Sequence, residues 1–102
     1  MRRCCAAILL LVVVGCARRP TPTECDAMLD RYLDMTEDDD PVLTTLTGEP
    51  RAGVRAERIS IRRASLAYLE AEKRCEAEVS RAEHACAMKA GSGNDWEACF
   101  NP

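Results

Sequence analysis

The sequence has few of the side chains from which a large core or an active site is built. Only four of its 102 residues are Phe, Trp or Tyr, and the chain has a single histidine. Neither strand-like alternation nor an internal repeat is present, which argues against a sheet or a solenoid. So few aromatic residues predict a core too thin to enclose a ligand pocket of about 300 Å3 or more.

Catalytic and metal-binding patterns are also missing. The single histidine, His84, has no nucleophile or carboxylate fixed beside its ring at a helical spacing. The acidic run 38–40 fits a calcium loop poorly, because an alignment that starts at Asp34 puts Asp39 where glycine is required and Thr45 where the bidentate glutamate belongs. We therefore predict no catalytic residue, no metal site and no cofactor, and a protein that is not an enzyme.

No apolar run is long enough to span a bilayer. Residues 6–14 form the longest run, and nine helical residues cover about half of a hydrocarbon core of ~30 Å. The run follows Arg2 and Arg3, so the arrangement is typical of the basic and apolar regions of an export signal.

The apolar run ends in Val13-Val14-Gly15-Cys16. This ending resembles the lipobox of bacterial lipoproteins. The resemblance implies that residues 1–15 are removed as a signal peptide and that Cys16 carries lipid with palmitate-type acyl chains. It also implies attachment to a membrane, and Ala17 gives no acidic retention signal, so we expect the outer membrane. Residues 16–21 would then be the lipidated cysteine and a short tether.

Four cysteines remain after Cys16 among the seven of the chain, since Cys4 and Cys5 leave with the signal. An even number of cysteines in a small exported domain predicts two disulfides, and the close pairs typical of zinc sites are missing. The remaining cysteines are Cys25, Cys75, Cys86 and Cys99.

Helix geometry narrows the pairing of these cysteines. Cys75 and Cys86 would lie about 16 Å apart on one continuous helix, which is too far for a disulfide. A hairpin turn at Gly91 would bring Cys86 level with Cys99, and Cys25 would then pair with Cys75. The crossed alternative, 25–86 with 75–99, requires the last arm to overrun the turn.

The helical periodicity predicts an all-α domain over residues 22–102. We expect a helix at 22–36 that is capped by Thr21 and Glu24, one long central helix at 50–90, and a short return helix at 94–100 that is capped by Asn94. The predicted architecture is a small disulfide-stapled helical hairpin, or three-helix domain.

Arginines recur along one face of the predicted helix after residue 50. Removal of Arg2 and Arg3 leaves 17 acidic and 12 basic residues, a net charge near −5 that argues against nucleic acid. The arginine face could contact an envelope protein or an anionic headgroup; alternatively, it is a solvated face balanced by the acidic run 38–40. It consists of Arg51, Arg55, Arg58 and Arg62.

The segments Cys86-x-Met88-Lys89-Ala90 and 95–99 (DWEAC) are similar to those of small cysteine-stapled helical lipoproteins of Gram-negative bacteria. This resemblance brings no active site with it. We expect a membrane-anchored, non-enzymatic accessory or interaction subunit at the cell envelope, or alternatively a small protein that binds a ligand or a headgroup.

Overall fold

The computed structural model describes residues 19–101. These residues contain six helices and no strand. The all-α class predicted from the sequence is therefore confirmed. The helices are α1 (Pro22–Glu37), α2 (Pro41–Thr44), α3 (Gly48–Arg63), α4 (Leu66–Glu78), α5 (Arg81–Lys89) and α6 (Gly93–Ala98).

Helix α1 begins as the sequence predicts. The Thr21 hydroxyl accepts a hydrogen bond from the Glu24 amide, and the Glu24 carboxylate accepts one from the Thr21 amide, both at 3.2 Å. This reciprocal box satisfies two amides that a helix N-terminus otherwise leaves unpaired, and Pro22 suits the first helical position. The helix ends at Glu37, and the Asp40 carboxylate then caps α2 by accepting from the Val42 amide at 2.9 Å.

The single long helix predicted over residues 50–90 is wrong, because the chain leaves helical geometry twice in that range. Ser65 is extended and its hydroxyl accepts from the Tyr68 amide, which starts α4. Val79 and Ser80 are also extended, and Ser80 forms a second capping box with Glu83. Side chains that cap a new helix compete with continuation of the old one.

Helix α1, and not the predicted helix at 50–90, lies at the centre of the domain. It contacts α3, α4, α5 and α6. The core forms where its apolar face meets α4 and α5, and it is small, as the few aromatic residues predict. The buried core residues are Cys25, Met28, Leu29 and Leu33 of α1, Tyr68 and Cys75 of α4, and Ala87 of α5.

Both predicted disulfides are present. Cys25 pairs with Cys75 across α1 and α4, with 5.9 Å between their α-carbons, and Cys86 pairs with Cys99 across α5 and α6 at 5.8 Å. The pairing is right although one premise was wrong, since Cys75 and Cys86 lie on different helices. The first disulfide is buried, whereas Cys86 is exposed.

Helix α6 returns along α1 at very close range. It begins at Gly93, one residue before the predicted start. The predicted cap, Asn94, is wrong, because the hydroxyl of Ser92 accepts from the Asp95 amide and caps the helix instead. A β-carbon at Gly93 would lie 2.7 Å from a methyl group of Thr36, so a larger residue here would force Thr36 or α6 to move. The approach brings Trp96 against Tyr32, with 4.5 Å between the ring centroids.

Candidate functional site

The arginine face of α3 points at acidic residues of the same chain. Arg55 donates to the Asp38 carboxylate at 2.9 Å and to the Asp34 carboxylate at 3.3 Å. Arg51 also pairs with Asp38, at 3.3 Å, and donates to the backbone carbonyl of Leu43. These contacts connect α3 to the C-terminal end of α1 and to the segment that follows it.

Glu37 lies at the centre of this ion-pair network. Its side chain has no solvent exposure, and its two oxygens accept from Arg58 at 2.5 Å and from Arg62 at 2.8 Å. Arg58 also reaches Asp40 at 2.5 Å. Burial alone would raise the pKa of Glu37, but the hydrogen bonds from Arg62 and Arg58 outweigh burial and hold this pKa below its ordinary value.

The arginine face is therefore balanced by the acidic residues, which is the second of the two interpretations of the sequence. All four guanidinium groups have carboxylate partners within the chain. Helix α3 contains no buried residue. The helix is attached to the domain by these charges and by Ile59, which is partly buried against the core. We call the α3 clamp the network of ion pairs that joins these arginines to Asp34, Glu37, Asp38 and Asp40.

Acid should weaken the α3 clamp. The pKa of Glu37 lies below its ordinary value, and the hydrogen bond from Arg55 does the same for the pKa of Asp38. A depressed pKa stabilises the folded state above the unfolded-state pKa, about 4.3 for Glu, and this stabilisation is lost as the pH falls through the lower folded-state value. We expect helicity, measured by far-UV circular dichroism, to stay constant from neutral pH to about pH 5 and to decrease below about pH 4. Asp39→Asn should leave this profile unchanged because Asp39 is exposed and takes no part in the clamp. Helicity that stays constant below about pH 4 would contradict the role of these carboxylates.

The tether enters the domain beside the end of α4. Cys16 itself lies outside the described residues. Arg19 donates a hydrogen bond to the backbone carbonyl of Ala77, and Pro20 is buried. The chain that follows Cys16 is thus held against the domain within three residues of that cysteine.

An apolar groove opens next to this contact, where α4 ends and α5 begins. Its volume is about 370 Å3, and it is an open groove at the surface and not a pocket enclosed by the core. The groove lies at the Val79–Ser80 break between α4 and α5, which the prediction of one long helix did not contain. Its lining consists of Met28, Leu29, Ala71, Cys75, Val79, Trp96 and Phe100, together with three charged residues, Arg74, Glu78 and Glu83, which are exposed or half-buried and which we call the rim.

His84 connects helices in the described part of the chain. Its Nε2 atom lies 3.1 Å from the Glu24 carbonyl oxygen, and Glu24 in turn pairs with Arg81. These contacts join α5 to α1.

Residues 19–101 contain no group of three or more side chains that could hold a metal ion. Within the same range, no helix combines the length and the apolar character needed to cross a membrane.

The chain matches no protein-family model, and the comparisons with curated proteins and with solved structures also give no match. Its function must therefore be argued from its own residues.

Proposed function

We propose that the protein is a membrane-anchored lipoprotein, attached through acylated Cys16, whose helical domain acts as a non-enzymatic accessory or interaction subunit at the cell envelope. The observation that carries the proposal is the pair of disulfides in so small a domain, because such staples persist in exported proteins and not in the reducing cytosol. The Val-Val-Gly-Cys ending at residue 16 supplies the means of attachment.

The tether supports a domain held close to the bilayer. Three residues separate Cys16 from Arg19 and span at most about 11 Å. Because Arg19 contacts Ala77 and Pro20 is buried, little free chain remains between the lipid and the domain. A domain held in this way suits contact with another envelope component better than capture of distant substrates. Ala17 favours the outer membrane as its location.

The arginine face has a changed role in this proposal. One of the two interpretations of the sequence was that Arg51, Arg55, Arg58 and Arg62 contact an envelope protein or an anionic headgroup. Since their guanidinium groups already pair with carboxylates of α1 and the adjacent segment, we assign them to holding α3 in place.

A second candidate function is a small ligand-binding envelope protein. The groove between α1, α4 and α6 favours it, because a volume of about 370 Å3 lies within the range of small-molecule sites.

Replacement of Cys16 tests the anchoring. Full-length Cys16→Ser protein should keep its signal peptide or appear as a soluble product, whereas the unchanged protein should yield a mature form that begins at an acylated Cys16. Intact-mass spectrometry and membrane fractionation of the two proteins provide the measurement. The matched control is the double variant Cys4→Ser/Cys5→Ser, which alters two cysteines of the signal and should be processed normally. Cleavage of Cys16→Ser before residue 16 with full membrane retention would refute the proposal.

The accessory role requires its own test. Crosslinking in intact membranes, followed by purification of the protein, should yield a specific envelope partner that the Cys16→Ser form does not capture. Turnover of an envelope substrate by the purified protein would refute the non-enzymatic assignment.

A further inference from the structure

We propose that the groove between α1, α4 and α6 holds one acyl chain of the lipid on this protein's own Cys16. The inference rests on the proposed lipidation. It assigns to the groove a ligand of defined chemistry, an ester- or amide-linked hydrocarbon chain, and it places part of the anchor inside the protein and not in the bilayer.

The position of the tether brings the lipid to the groove. The Arg19 side chain contacts the carbonyl of Ala77, and Glu78 and Val79, the next two residues, line the groove. Cys16 is three residues before Arg19, so its α-carbon is at most about 11 Å from that of Arg19. The Val79 edge of the groove thus lies within reach of a long acyl chain attached at Cys16.

The floor of the groove suits a hydrocarbon chain. Val79, Trp96 and Phe100 are only partly buried, so they leave apolar surface open to water that an acyl chain would cover. The one polar atom of the Trp96 ring is already satisfied, because its Nε1 donates to the Met28 carbonyl at 3.2 Å. The ring therefore presents apolar surface and demands no hydrogen bond from a ligand.

The charges of the rim favour an acyl chain that is bound to Cys16 over a free fatty acid. It carries one guanidinium, on Arg74, and two carboxylates, on Glu78 and Glu83. Glu83 accepts from the Ser80 amide at 2.9 Å and stays at the rim as part of the α5 cap. A free fatty acid would bring a third carboxylate to this rim, whereas the ester and amide groups of a lipidated cysteine are neutral. The charges therefore favour the protein's own anchor.

Photo-crosslinking tests where the chain lies. Cells that express the full protein are supplied with a palmitate analogue that carries a diazirine near the end of the chain, and their membranes are irradiated. The mature protein is then digested and analysed by mass spectrometry. We expect crosslinks within the same polypeptide, from the acyl chain on Cys16 to peptides that contain Val79 or Trp96. Labelled Cys16 that crosslinks only to phospholipid or to other proteins would overturn the inference.

Two variants test whether the groove is the site of the crosslink. Val79→Phe fills the groove and should abolish the intramolecular crosslink. Ala82→Phe is the matched control, because Ala82 is exposed and does not line the groove, and it should keep the crosslink. Circular dichroism and the mass of the oxidised protein show whether each variant has folded with both disulfides; if Val79→Phe misfolds, the crosslink map of the unchanged protein decides. An intramolecular crosslink that survives in folded Val79→Phe would contradict the groove as its site.

The failure of this inference can be separated from the failure of the proposed function. A mature protein with no acyl group on Cys16 would refute both the lipidation and the occupant of the groove. An acylated Cys16 whose chain crosslinks only in the bilayer would leave the lipoprotein proposal intact and refute only the occupancy of the groove.

Discussion

Replacement of Cys25 and Cys75 by alanine should lower the free energy of unfolding by about 4 kcal/mol. The disulfide between them joins residues 50 apart in sequence, and closing so long a loop removes much of the conformational freedom of the unfolded chain. Small domains are stable by about 5–15 kcal/mol in total, so the variant should lose a large part of its stability and unfold at a much lower urea concentration. Urea titration followed by far-UV circular dichroism measures the loss.

The second disulfide provides the matched comparison. Cys86→Ala/Cys99→Ala opens a loop with a sequence separation of 13, for which the same argument gives about 3 kcal/mol. Because Cys86 is exposed and Cys25 and Cys75 are buried, this pair should also be reduced first by a mild thiol. Equal stability of both double variants and the unchanged protein would show that neither disulfide stabilises the fold, and earlier reduction of the buried pair would contradict the described exposure.

Glu37→Gln should release α3 from the domain. The amide cannot accept charge-assisted hydrogen bonds at both of its ends, so Arg58 and Arg62 lose a shared partner that is fully buried. We expect a loss of about 2 kcal/mol, the scale of hydrogen bonds to charged groups. Since α3 buries no residue, and an isolated helix of 16 residues is marginal in water, the loss should appear as faster amide exchange in α3 and not in α4. Uniform acceleration over the whole domain, or none, would contradict the clamp.

Replacement of the two arginines that hold Glu37 should reverse the contribution of Glu37 to the pH dependence of stability. With Arg58 and Arg62 both replaced by methionine, burial remains as the main influence on Glu37, and it raises the pKa of that residue. A raised pKa gives a contribution to stability that increases as the pH falls, opposite to that of the unchanged protein. Urea titrations at a series of pH values compare the two, with Asp39→Asn as the control.

The sequence predicted the staples and the first helix because these depend on local signals. Thr21, Pro22 and Glu24 form a capping box within four residues. The pairing of Cys86 with Cys99 follows from a single turn near Gly91, and it leaves Cys25 to pair with Cys75. The break at Ser80 was equally local: Ser80 and Glu83 have the spacing of a capping box, but the uninterrupted apolar periodicity around them concealed it. The break at Ser65 is weaker in sequence, because only the hydroxyl of Ser65 marks it.

The clamp and the groove depend on contacts between distant parts of the chain. The spacing of the arginines showed that they share a face but not which surface this face meets, so the burial of Glu37 could not be foreseen from the acidic run. The groove requires both the break at Val79 and the close return of α6 on Gly93. The hydrophobic periodicity of the sequence predicts neither how α5 is oriented relative to α4 nor how closely α6 approaches α1.

The Cys25–Cys75 disulfide also determines what a protease would do to this domain. Helices α2 and α3 lie between the two cysteines in sequence, and Thr45 and Thr47 in the connection between them are exposed. A cut there would leave the two pieces covalently joined, with the α1–α4 contact intact. Nicked molecules would therefore migrate as whole protein on a gel until a reductant is added.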